Sequence, residues 1–212
     1  MQTSPEAPVA FLTNANPAAG RFVLEAGGAS PVVVRTETTY VPEADGSMTR
    51  PESHGFVASR AYSRLRPSDL STGAPPERRS LEEPGTAIEL SVADIVEDHA
   101  QVVNPTTRHY VAVVVPLAAG MEPLNPRLAT APPEARPSKS LTLPPTYVAF
   151  LDDHVAFYYD ELPAGTYDFY FRTRATTPGS FVQPSAFAEM MYDSAVTGQS
   201  AGARVRIERT EQ

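Results

Sequence analysis

From Thr166 to Thr176 the chain reads TYDFYFRTRAT, with Tyr167, Phe169 and Phe171 on one face and Asp168, Tyr170, Arg172 and Arg174 on the other. That period of two belongs to an extended strand and not to a helix. HVAFYYDEL, residues 154–162, precedes it across the turn Pro163–Gly165, and the two segments predict a hairpin-like pair. ARVRIERT alternates Val205 and Ile207 with Arg204, Arg206 and Glu208 and predicts a closing strand. TAIELSV puts Ile88, Leu90 and Val92 on one face, a half-buried strand that DIVEDHAQVV continues or bends. RHYVAVVVPL is apolar on both faces from Tyr110 to Val115, which predicts a central strand.

The pattern weakens upstream. GFVASRAYSRL predicts a strand whose alternation is impure, because Phe56, Ala58 and Tyr62 share a face with Arg60. FVLEAGGASPVVVRTETTYVP gives a short apolar run, a Gly-Gly turn and a strand from Val32 to Val41 that Pro42 ends. Two proline-rich stretches, 66–86 and APPEARPSKS at 131–140, have no sustained period and predict surface loops. Residues 1–20 are expected to be a linker or frayed arm, and residues 21–212 a single domain. About seven short strands without an internal repeat predict an all-β, antiparallel sandwich of immunoglobulin type, with long loops and at most one or two short helical turns.

Composition narrows the chemistry. The 212 residues include 22 prolines, which disfavour long helices, and no cysteine, which removes disulfides, thiolate metal sites and a cysteine nucleophile. The net charge of −8, with a single lysine, Lys139, argues against nucleic-acid binding. No apolar run approaches the length of a membrane span, and MQTSPEAPVAFLTNANP has neither a basic start nor a continuous apolar segment, so no export signal is expected in this chain.

Catalytic motifs are lacking: there is no GxSxG, HExxH, Walker loop or GxGxxG. No cofactor, metal site or catalytic residue is expected. Asp152, Asp153 and His154, with Asp160 and Glu161, could hold a hard cation or act as paired carboxylates, but Asp152-Asp153 is better read as the turn before the next strand. His54, His99 and His109 lack ligand spacing and read as surface or packed histidines. Arg172, Arg174, Arg204, Arg206 and Arg209 read as a solvated or cross-strand-paired face.

The stretch PSAFAEMMYD, Pro184–Asp193, is the exception to this bland picture. Ser185 could cap one helical turn, bringing Phe187, Met190 and Met191 together. Those side chains then either plug the end of the sandwich or form an exposed patch, since adjacent methionines on one turn cannot both point inward. Residues alone leave the two readings open.

LPAGTYDFYFRTRATTPGSFVQPSAFAEMMYD, the later GQSAGARVRI, and upstream RHYVAVVVPLAAGMEPLNP together resemble the C-terminal, receptor-binding-like macroglobulin domain of bacterial alpha-2-macroglobulins. VVVRTETTYVPE resembles its opening strand more loosely, so the likeness spans roughly Arg21 to Glu208. Val115 and Ala118 depart from the family, where an acidic residue and a proline are common. The resemblance implies a macroglobulin-like sandwich in a non-enzymatic peptidase-trapping inhibitor of the periplasm or cell envelope. Its partners would be the thioester domain and other macroglobulin domains, in the same polypeptide or a separate chain, and proteases only indirectly. Met191 and Tyr192 would shield the thioester, with Glu189 and Met190 flanking, and Phe187 would point inward as an anchor. Lacking cysteine, this chain cannot form a thioester itself, so it is expected to be a piece of a longer protein or a separately encoded subunit. The competing expectation is a free-standing immunoglobulin-like adhesion or ligand-binding module.

Overall fold

Fourteen strands follow one another among the described residues, which are 50–65, 77–80 and 87–209 of the computed structural model. They are β1 (Glu52–His54), β2 (Val57–Leu65), β3 (Glu77–Ser80), β4 (Ala87–Ser91), β5 (Ile95–Asn104), β6 (Arg108–Pro116) and β7 (Met121–Leu124). After a 3-10 turn at Pro133–Ala135 come β8 (Tyr147–Phe150), β9 (His154–Leu162), β10 (Gly165–Ala175), β11 (Gly179–Gln183), β12 (Phe187–Met190), β13 (Asp193–Gln199) and β14 (Ala203–Glu208). The described residues fall in one compact unit, Pro42–Gln212. The expected arm at 1–20 and the strand at 32–41 lie outside them.

The strands form three sheets, ordered β1-β13-β12-β6-β9-β8, β3-β2-β5-β10-β7 and β11-β14-β4. Strand pairing is antiparallel except between β14 and β4, which run parallel. The all-β antiparallel sandwich expected from the alternation is what forms, and β6 is a central strand with β12 on one side and β9 on the other. β4 and β5 are separate strands of different sheets, broken at Val92–Ala93, where Ala93 takes a φ of +74°.

Three local expectations are corrected. First, β9 and β10 do not pair: β9 lies between β6 and β8, and β10 between β5 and β7, so the chain crosses from one sheet to the other at Pro163. Their aromatic faces oppose each other through the core, with the Phe157 ring 4.9 Å from Phe169 and 6.4 Å from Phe171. Inward-facing aromatics on both segments are satisfied by stacking across the interior as well as by lying side by side, and the period alone does not choose. Second, residues 66–86 are not all loop, because β3 inside them pairs with β2 at the sheet edge. Third, 187–190 is a strand and not a helical turn. Its backbone is taken up on both sides, by β6 and by β13, which gives it more hydrogen bonds than an isolated turn could make.

As a consequence Ala188 and Met190 face the core, whereas Phe187 is half-buried and is not the inward anchor. The two methionines do split as their adjacency requires: Met190 packs inward and Met191 is exposed.

The polar face of β10 is covered by the 133–143 loop. Arg172 Nε donates to Glu97 Oε2 on the neighbouring strand β5 at 3.0 Å, and Ser138 N–H donates to the same carboxylate at 2.6 Å while its hydroxyl holds the other oxygen. Arg174 bonds Glu134 at 3.0 Å, and Asp168 accepts from Gln101 at 2.9 Å and pairs with His99 at 2.7 Å. Arg172 is thus cross-strand paired as expected, and His99, stacked on Tyr170 at 4.3 Å, is a packed histidine.

Candidate functional site

The site starts from a buried asparagine. Asn104, at the end of β5, donates through Nδ2 to the carbonyls of Leu162 and Pro163 at 2.9 and 2.8 Å. Its free oxygen accepts from Arg108 Nε at 3.1 Å, which fixes the guanidinium at the start of β6. Arg108 then reaches the Gly55 carbonyl at 3.3 Å and Met190 Sδ at 3.7 Å, and lies 5.0 Å over the Phe56 ring. Gly55 has a φ of +112°, and a Cβ there would sit 2.9 Å from both Arg108 Nη2 and Val196 Cγ1, so this close approach requires glycine.

Met190, held this way, roots a short hairpin. β12 and β13 are joined by Met191-Tyr192, with Met190 opposite Asp193. The next pair is Glu189 opposite Thr197, so Ser194, Ala195 and Val196 bulge from β13. Neither Met191 nor Tyr192 is left-handed, as the preferred two-residue hairpin turns would need, and the bulge absorbs the mismatch in twist. Asp193 Oδ1 accepts from the Ala195 N–H at 3.2 Å and shapes that bulge.

The tip projects. Tyr192 is 83% exposed and Met191 41%. The Met191 N–H donates to the Tyr110 carbonyl at 2.8 Å, and the Tyr110 ring meets Tyr192 edge to face, 5.3 Å between centroids at 86°. Tyr110, itself 51% exposed, has a φ of +55°. Of the four residues singled out in the sequence, Met191 and Tyr192 therefore stand at the exposed tip, Met190 faces the core and Glu189 is half-buried within β12. Tyr110 and Arg108 were missed. The only trace of Tyr110 is an aromatic at the head of an apolar run, and its backbone conformation is not written in the pattern.

The other candidates do not assemble. Asp152 and Asp153 form the bend before β9, closed by Leu151 N–H to the His154 carbonyl at 2.9 Å, as the turn reading expects. Asp153 and His154 contact each other at 2.7 Å. Among the described residues no three His, Asp or Glu side chains gather in a way that could hold a metal ion. Among the described residues no helix is long and apolar enough to cross a membrane, which leaves β-barrels unaddressed.

The described residues form a multi-sheet β-sandwich with an exposed two-residue tip, Met191-Tyr192, between β12 and β13, and its class is that of a macroglobulin domain. Residues 55–194 match the family of the Bacterial Alpha-2-macroglobulin MG10 domain, and the chain belongs to that family. Solved structures with a similar fold include Salmonella alpha-2-macroglobulin reacted with methylamine, at 21% identity and a TM-score of 0.52, covering 76% of this chain and 10% of that one. Escherichia coli alpha-2-macroglobulin activated by porcine elastase gives 18% and 0.55, covering 76% of this chain and 14% of that one. The trypsin-activated protein from Escherichia coli gives 20% and 0.54, covering 76% and 11%. This chain therefore spans only 10 to 14% of the length of those proteins. None of the curated proteins matches it.

Proposed function

We propose that this chain is a non-enzymatic interaction domain of a bacterial peptidase-trapping alpha-2-macroglobulin, working in the periplasm or cell envelope, and that its β12–β13 tip packs on a thioester domain and shields it. The observation that carries this reading is the tip itself: Tyr192 is 83% exposed on a hairpin whose base is anchored by Arg108. A large ring held away from the core buries little apolar area through folding alone, whereas packing against a second domain removes that area from water. A thioester survives only where water is excluded, and a thioether and a phenol supply bulk without a strong nucleophile at neutral pH. The structural relatives are described as reacted with methylamine and as activated by elastase or trypsin, which fits an assembly with a protected electrophile that proteolysis exposes.

The test is Met191→Ala with Tyr192→Ala in the full assembly, comparing methylamine incorporation and spontaneous thioester hydrolysis before any protease is added. Faster reaction of the uncleaved variant is expected. Unchanged rates would reject the shielding role.

A further inference from the structure

A tyrosine in the left-handed region is rare, because its Cβ crowds the following carbonyl; glycine or asparagine would sit there with less strain. Tyr110 is one of two non-glycine residues with positive φ among the described residues, and it adjoins the most exposed aromatic ring, that of Tyr192. The neighbouring strand is affected too. β6 pairs with β9 at His109–Glu161 and again at Val111–Tyr159, with Tyr110 left out. On β9 the Asp160 N–H is taken on the β8 side, by the Thr146 hydroxyl at 3.1 Å. The Tyr110 carbonyl is turned to β12, where it receives the Met191 N–H at 2.8 Å. Strained backbone persists only where its surroundings over-determine it, and here both the carbonyl and the ring are engaged by the same two-residue tip.

We propose that Tyr110 is a positioning residue for Tyr192. Its carbonyl fixes the height of the tip, and its ring, perpendicular to that of Tyr192, fixes the direction of the second phenol. The two rings and the Met191 thioether then form one uncharged, pre-ordered projection. Its counterpart is an apolar recess with hydrogen-bond acceptors at the rim for the two hydroxyls. The last step, which makes the thioester domain the owner of that recess, rests on the function proposed above.

The experiment uses the full 212-residue chain and compares Tyr110→Gly, which removes the ring and favours the left-handed backbone, with Tyr110→Phe, which keeps the ring. Tyr192 side-chain couplings measured by NMR are expected to report one χ1 rotamer in the parent chain and in Tyr110→Phe, and averaging over rotamers in Tyr110→Gly. The Met191 amide should stay protected from exchange in all three. In the full assembly, Tyr110→Gly should weaken docking by up to about tenfold, the scale of one edge-to-face pair. Should the glycine variant fail to fold, Tyr110→Asn, which also tolerates this backbone, takes its place.

A single Tyr192 rotamer in the ring-deleted variant, or averaging already in the parent, overturns the positioning role whatever the thioester does. Rotamer averaging with unchanged methylamine reactivity would support positioning and reject shielding.

Discussion

Arg60 and Asp98 face each other inside the sandwich with neither side chain exposed, and Arg60 also donates to the Pro184 carbonyl at 2.9 Å. Two bonds from the guanidinium Nε, at 3.1 and 3.2 Å, hold both carboxylate oxygens. Burial lifts the Asp98 carboxyl above the usual carboxylate range, and the Arg60 charge opposes that. The pair ties β2 and β5 to the segment that leads into β12. Arg60→Met should therefore cost about 3 to 5 kcal/mol, because it strands a buried carboxylate, and adding Asp98→Leu should recover most of the loss. Urea unfolding of both variants checks this; equal stability of the single and double variants would show that the pair is not the issue.

Phe157 fills the space between the two large sheets against Phe169 and Phe171. Phe157→Ala is expected to cost about 3 to 5 kcal/mol by opening a cavity. Leu128→Ala, at a side chain 58% exposed, should stay within about 0.5 kcal/mol of the parent. A double-mutant cycle between Phe157 and Phe169 should give a coupling of at least about 0.5 kcal/mol, as residues in contact do. Additivity would contradict packing across the core.

Gly198 faces the Phe56 backbone so closely that a Cβ would lie 2.2 Å from the Phe56 carbonyl oxygen. Gly198→Ala must push β13 away from the Phe56 backbone just before β2 and should cost about 1 to 3 kcal/mol. Gly165→Ala is the control: the nearest atom to its Cβ is 3.4 Å away and its φ is not positive, so it should be neutral or stabilise by up to about 1 kcal/mol. Thermal melts of the two variants moving together would count against this contrast.

Asp168 carries the clearest acid-side signature. Partial burial works to raise its pKa, but hydrogen bonds from His99 and Gln101 prevail and hold it below the ordinary carboxylate value. A depressed folded pKa means its contribution is complete above the unfolded value, about 3.9, and is lost as pH falls through the lower folded value. Asp168→Asn should lower the melting temperature at pH 7 and flatten the decline below about pH 4. Parallel curves for the two proteins would exclude this role.

The strands were largely legible because alternation survives burial: Val205 and Ile207 on β14, or Tyr167, Phe169 and Phe171 on β10, could face a core in only one way. Which strand lies beside which was less legible. The β9 and β10 segments looked like neighbours because a turn joins them, whereas facing aromatics pull such segments onto opposite sheets equally well. Arg60 looked like an impurity in an apolar face because its partner, Asp98, is 38 residues away. At the candidate site, Met191 and Tyr192 stood out by composition, but the strand character of 187–190 came from long-range pairing with β6 that no local window contains. Tyr110 depends on a backbone angle, and a single sequence does not display angles.

β14 sits between β11 and β4, so the smallest sheet has a late segment as its middle strand. During synthesis β4 emerges more than a hundred residues before Glu208, since Ser91 and Glu208 are its terminal partners. Until β14 is in place, the edges that β11 and β4 turn toward it are unpaired and open to pairing with another chain. This third sheet can therefore close only once Ala203–Glu208 is available to lie between its two outer strands.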